Sequence, residues 1–164
     1  MEDLYSVEFS LELEGYIFTT DNETKYVFSF IIDNRINDIK NTNYSNIFSI
    51  DITCLTENKK YDEKTSYTII DSIYKAFEDI TFVLNYTCDI SDGRGEARRK
   101  KFDYWFSKAS ELNSSIIKID ISVPDDELQD VNHYASLLIH NDNPLKDEII
   151  KNYQESCDDF LSYK

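Results

Sequence analysis

Phe82-Val83-Leu84-Asn85-Tyr86-Thr87-Cys88-Asp89-Ile90, then Gly93-Arg94-Gly95, then Phe102-Asp103-Tyr104-Trp105-Phe106-Ser107-Lys108-Ala109: within this one stretch the apolar spacing changes from two to three and four. Phe82, Leu84, Tyr86, Cys88 and Ile90 alternate, as on a strand whose successive side chains point to opposite faces. Phe102, Trp105, Phe106 and Ala109 fall at i, i+3, i+4 and i+7, a single stripe along a helix. A strand is therefore handed through a glycine turn to an amphipathic helix.

Upstream, Tyr67, Ile70, Ile73, Tyr74 and Phe77 predict a helix from about Glu63 to Asp79. Before it, Tyr5, Val7, Phe9, Leu11 and Leu13 alternate with polar residues and predict a first strand, which Gly15 turns into the next. Tyr16 to Thr20 and Lys25 to Ile32 flank Asp21-Asn22-Glu23-Thr24 and read as a hairpin. The Asn-rich stretch from Asp33 to Asn46 reads as a loop, and Ile47 to Leu55 as a strand with Phe48, Ile50, Ile52 and Cys54 on one face.

Downstream, Ile117, Ile119, Ile121 and Val123 alternate until Pro124 stops the strand, and Tyr134 to His140 reads as one more strand. Asn143 as N-cap and Pro144 at the first helical position open a C-terminal helix with Ile150, Tyr153, Cys157 and Phe160 as its stripe. The expected fold is α+β: a mainly antiparallel sheet with an N-terminal β-meander and about three helices packed on one face. No repeat or linker divides residues 1–164, so a single domain is expected.

Thirty-two acidic against 17 basic side chains leave a net charge of −15. Such a chain repels a phosphate backbone and an anionic membrane, so neither nucleic acid nor membrane is expected as a partner. It favours a basic protein instead. Cys54, Cys88 and Cys157 form no C-x-x-C pair, which excludes a disulfide framework or zinc ribbon and suits a reducing cytoplasm. The opening residues Met1-Glu2-Asp3-Leu4 lack a leader pattern, and no apolar run approaches the roughly 20 residues of a spanning helix.

The unusual local feature is basic. Arg94, Arg98, Arg99, Lys100 and Lys101 cluster in an otherwise acidic chain, beside the two glycines Gly93 and Gly95, where a strand passes to a helix. Free backbone N–H groups and the helix dipole attract anions at such a place. Gly93, Arg94, Arg98, Lys101 and Trp105 are thus the candidate ligand- or partner-binding residues, with Arg94 and Arg98 as a clamp. Arg98 precedes Phe102 by four and Trp105 by seven, so it shares their apolar stripe, and a part-buried arginine there needs a partner such as Asp89 or Asp92.

No catalytic residue, metal set or cofactor motif emerges. Walker and dinucleotide glycine patterns are absent. Asp92-Gly93-Arg94-Gly95-Glu96-Ala97 resembles the pyrophosphate loop of acyl-coenzyme-A-dependent N-acetyltransferases, though Asp92 is a charge that a pyrophosphate repels. His133 and His140, an odd number apart on one strand, point to opposite faces and do not share a metal. Cys54 and Cys88 sit on apolar strand faces as inert thiols, and Asp125-Asp126-Glu127 lacks the spacing of a calcium loop.

Taken together, Tyr16-Ile17-Phe18-Thr19-Thr20, Tyr26-Val27-Phe28, Tyr86-Thr87-Cys88-Asp89 leading through Arg98 into Phe102-Asp103-Tyr104-Trp105-Phe106, and His140-Asn141-Asp142-Asn143-Pro144 resemble the bacterial domain-of-unknown-function family 6169. The resemblance runs from about Leu4 into the C-terminal helix and is most specific between Arg98 and Trp105. It implies a small stand-alone bacterial domain and no particular chemistry. The expected function is a small acidic cytoplasmic protein-interaction module, of inhibitor, immunity or antitoxin type, acting on a basic partner. The alternative is an anionic small-molecule binder or degenerate acyltransferase-like domain using the Gly93 to Lys101 turn and helix.

Overall fold

A computed structural model describes residues 4–37, 44–57, 62–112, 114–125 and 131–156. In chain order the elements are β1 (Glu8–Ser10), β2 (Gly15–Thr19), β3 (Lys25–Ile32), α1 (Asn34–Asn37), β4 (Ile47–Cys54), α2 (Glu63–Ala76), β5 (Val83–Cys88), α3 (Gly95–Leu112), β6 (Ile116–Pro124), β7 (Asn132–His140) and α4 (Lys146–Glu155). The strands form one sheet in the order β1-β2-β3-β4-β5-β7-β6. This is an α+β fold whose pairings are antiparallel except between β4 and β5. A parallel pair needs a crossover, and α2 supplies it.

Helices cover both faces of the sheet, not the single face that the spacing suggests. On one side α2 (Ile69, Ile70, Ile73, Phe77) and α3 (Trp105, Ala109) pack on Phe18, Phe28, Leu84, Tyr86, Cys88 and Leu138. On the other side α4 (Ile149, Tyr153) and α1 (Ile36) pack on Ile47, Val83, Ala135, Leu137 and Ile139. β5 and β7 are consequently buried on both faces. Alternation is the mark of a strand with one wet face, and it fades where both faces are dry.

Three boundaries move for local reasons. The first strand stops at Ser10, because the chain turns there: the Ser10 hydroxyl accepts the Leu13 N–H and Glu14 adopts φ +48°. Leu11 therefore lies in solvent, 86 % exposed, although it keeps the alternating pattern. Gly15 opens β2 instead of making the turn. A Cβ there would lie 2.4 Å from Ser29 Oγ and 2.9 Å from Val27 Cγ2, so its bareness serves close packing on β3. At the far end, the Asn143 side chain accepts the Leu145 N–H and closes a turn, and the helix starts at Lys146 with Leu145 as an N-cap lacking a side-chain bond. Its buried stripe is Ile149, Asn152 and Tyr153, one position off the expected Ile150; Cys157 and Phe160 lie outside the described residues.

The stretch read as loop after β3 carries a buried polar tie. The Asp33 carboxylate, with a side chain 1 % exposed, accepts hydrogen bonds from Arg35 N, Nε and Nη2, from Ser49 Oγ at 2.6 Å and from Asn85 Nδ2. Tyr153 of α4 donates its hydroxyl to Asn85 Oδ1. β3, β4, β5 and α4 are thereby joined at one point.

Candidate functional site

Gly93 takes φ +73°, a left-handed conformation natural to glycine, and its N–H bonds to the Ile90 carbonyl. Gly95 starts α3 close against Ile90: a Cβ would lie 2.6 Å from Ile90 Cγ2. The turn thus delivers the helix start where the sequence places it. Four of its five basic side chains are engaged by their own chain. Arg98 grips Asp92 with both terminal nitrogens, at 2.6 and 2.8 Å, and donates to the Asp89 carbonyl at 2.7 Å. The guanidinium holds the Asp92 carboxyl down at about 2, and Asp92 in return raises the pKa of Arg98.

Arg99 pairs with Asp103 at 2.8 Å, and Lys100 with Glu96 at 3.0 Å. Lys101 lies 4.8 Å from the Trp105 ring centre, where the negative face of the indole attracts its ammonium. Arg94 is exposed. Trp105 is buried in the core and donates its indole N–H to Ser66 of α2 at 2.9 Å. Of the five sequence-derived residues, Gly93, Arg94 and Arg98 share the turn, whereas Trp105 belongs to the α2–α3 contact and Lys101 lies over its ring.

α3 is fastened to the sheet by charge as well. Lys118, its side chain 8 % exposed, bonds Asp103 of α3 at 2.6 Å and also Asp120 on its own strand. Burial works against its ammonium, yet the two carboxylates outweigh it and raise its pKa. Cys88 below is a buried thiol that burial pushes up to about 11. His133 Nε2 lies 2.7 Å from the Asp125 carboxylate, and His140 Nδ1 accepts the Asp142 N–H. No group of three or more metal-ligating side chains gathers among the described residues.

A second region was invisible to spacing arguments. A cleft of about 800 Å³ opens between α2 and the sheet, lined by Leu4 to Val7, by the rings of Tyr16, Phe28, Phe30, Phe48 and Phe82, by one side of α2 from Thr68 to Ala76, and by Asp79 just beyond it. Its floor is continuous aromatic packing: Tyr16 stacks on Phe28 at 5.3 Å, Phe48 stacks on Phe82 at 5.2 Å, and Phe30 meets Phe82 edge-on. Such a size is that of a binding cleft. The sequence signal was the density of aromatics on β2, β3 and β4, more than one helix covers.

The β4–β5 pair shapes a third feature. Pairing runs only from Ile47–Val83 to Ser49–Asn85, although β4 continues to Cys54 and β5 to Cys88. Beyond it the facing strand edges have no strand partner among the described residues. The chain leads from the ends of these strands into α2, N-capped by Asp62, and into α3 through the Gly93 turn.

Residues 61–155 match the model of a family of unknown function, DUF6169. The matched span holds α2, the Gly93 turn, α3 and β5 to β7, including the Arg98 to Trp105 segment. The strands that floor the cleft, β2 to β4, precede it. No curated protein and no solved structure matches. No helix among the described residues is long and apolar enough to cross a membrane.

Proposed function

The chain belongs to the family of unknown function DUF6169; from that membership, which assigns no chemistry, and from its surface we propose that it is an acidic protein-interaction module that covers a basic partner. One observation carries the reading: a net charge of −15 whose densest basic segment is engaged by its own chain, Arg98 with Asp92, Arg99 with Asp103 and Lys100 with Glu96. Arg94 stays exposed on the turn, but the chain as a whole carries an excess of carboxylate. A field of that sign steers a cationic protein and repels nucleic acid and anionic lipid. Inhibitors, immunity proteins and antitoxins that mask a basic surface need such a field, and the free thiols of Cys54 and Cys88 suit the bacterial cytoplasm.

The test is capture of basic proteins from the native host on the immobilised chain, with elution by salt rising from about 0.05 to about 0.5 M, which shortens the screening length from about 14 to about 4 Å. Salt-released basic proteins are expected. The reading fails if none is released, or if an unrelated chain of equal charge retains the same set.

A second reading has its own observation, the parallel β4–β5 pair that stops pairing after Asn85. Ligands favour the carboxyl ends of diverging parallel strands. An extended molecule with amide groups and an anionic end, such as an acyl-coenzyme A, suits an unpaired strand edge next to helix N-termini. Asp62 and Asp92 at the two helix starts oppose it. A saturable rise in Tm with acetyl-coenzyme A would favour this reading, and no rise at millimolar ligand would retire it.

A further inference from the structure

The cleft under α2 has a part-open aromatic floor, with Tyr16 39 % exposed while Phe28 and Phe82 are buried, and a wall on which several polar side chains are already used. Thr68 Oγ1 accepts the Tyr5 N–H and donates to the Lys64 carbonyl, Ser72 donates to the Thr68 carbonyl, and Asn46 donates to Thr81. With those groups engaged within the chain, the rings of Tyr16, Phe30 and Phe48 give an apolar guest the larger share of the open lining. Charge selects among apolar guests. The lining holds Asp71 and Asp79 against Lys75, and Lys75 is tied to Asp71 at 2.8 Å. Asp79 accepts two bonds from Thr81, which hold its carboxyl below the usual range and keep it ionised.

The aromatic ladder does not end at the cleft. Tyr16 meets Phe9 at 5.2 Å, and Phe9 lies 56 % exposed on the edge strand β1 beside Glu8. Exposed aromatic faces attract cations as well as rings. A second copy of the chain would bring another 15 negative charges, and an anionic ligand would meet carboxylates at the rim. We propose that the cleft seats an aromatic or branched aliphatic side chain of a partner protein, presented by a segment whose flanking residues are lysine or arginine. This names the docking site of the basic-partner reading and rests on it.

Three short peptides probe it by calorimetry: Lys-Lys-Phe-Lys-Lys, Lys-Lys-Ser-Lys-Lys and Glu-Glu-Phe-Glu-Glu. The first should bind about tenfold more tightly than the second, and the third should not bind. Ala76→Trp, which fills the cleft from the α2 wall, should erase the Phe preference by about tenfold while leaving the serine peptide unchanged. Asp71→Asn with Asp79→Asn should weaken the first peptide and reduce its salt dependence, and a thermal melt checks that each variant is folded. Equal affinity for the Phe and Ser peptides, or a Phe preference that survives Ala76→Trp in a folded protein, overturns the docking site and leaves the basic-partner reading standing. Anilinonaphthalene sulfonate, an apolar anion, binding where the Phe peptide does not would also overturn it. Failure of both cationic peptides to bind at low salt, with salt-eluted partners still captured by the whole chain, removes the cleft and spares the broader function.

Discussion

Asp33→Asn tests whether the buried carboxylate is the tie between β3, β4, β5 and α4. Asp33 Oδ1 accepts Arg35 N and Nε, and Oδ2 accepts Arg35 Nη2, Ser49 Oγ and Asn85 Nδ2. An amide nitrogen replacing either oxygen faces donors with a donor. If it takes the Oδ1 place, the Arg35 N and Nε bonds are lost. If it takes the Oδ2 place, the Arg35 Nη2 bond is lost, and Asn85 must flip to accept, which takes its oxygen from the Tyr153 hydroxyl. Two lost bonds at about 1.5 kcal/mol each give about 3 kcal/mol. Arg35 is 39 % exposed, so water recovers part of its share and the expected cost is about 2 to 3 kcal/mol.

Urea unfolding followed by the fluorescence of Trp105, the single and buried tryptophan, reads this out. With a slope of about 2 kcal/mol per molar, the midpoint falls by about 1 to 1.5 M. The exposed Asp51→Asn is the control, expected to move it little. The pH dependence has a definite sign. Burial pushes the Asp33 pKa up, but the bonds from Arg35, Ser49 and Asn85 prevail and leave it lowered. A depressed folded value means that the contribution is present above the unfolded value of about 4 and is lost as pH falls through the folded one. The gap between wild type and Asp33→Asn should therefore narrow only below about pH 4. A midpoint shift no larger than that of Asp51→Asn, or a gap already closing at neutral pH, would refute the reasoning.

Carbon-detected titration should find Asp92 at about 2, and Arg98→Ala should return it toward the ordinary 3.8 with the fold retained, since the pair is exposed; an unmoved Asp92 would contradict the Arg98 grip. Gly15→Ala should destabilise by about 1 to 3 kcal/mol in the same urea assay, because its Cβ meets Ser29 Oγ at 2.4 Å and the Phe28 carbonyl at 3.0 Å. Ser29→Ala in the Gly15→Ala background should then recover part of the loss. At neutral pH, Cys54 should alkylate before Cys88, whose buried thiol is pushed up to about 11; mass spectrometry of the native protein finding equal rates would overturn that order.

The period change at Gly93 placed a strand and a helix where they stand, and the hairpin of β2 and β3 followed from its turn residues. α2 ended at Ala76, close to the expected Asp79. The errors share a cause. Leu11 keeps an alternating pattern although nothing lies over it, since spacing encodes a face and not whether that face is covered. The run Ala135-Ser136-Leu137-Leu138-Ile139 is apolar almost without break and marks a strand dry on both sides, but it does not reveal which helices dry it. Arg98 needed a partner by its place on the stripe, and Asp92 was among those that spacing offered.

Composition, periodicity and local turn chemistry determined by themselves the α+β class, the order of the major elements and the acidic character, because each depends on neighbours within a few residues or on a sum over the chain. Tertiary structure alone decided that α4 lies opposite α2 and α3, that Asp33 meets Asn85 and Tyr153, and that Leu4, Phe28, Phe48, Asp71 and Phe82 line one cleft. Those contacts join residues far apart in the chain. They follow from which faces are buried together when the sheet closes, a competition among surfaces that no single stretch of sequence contains.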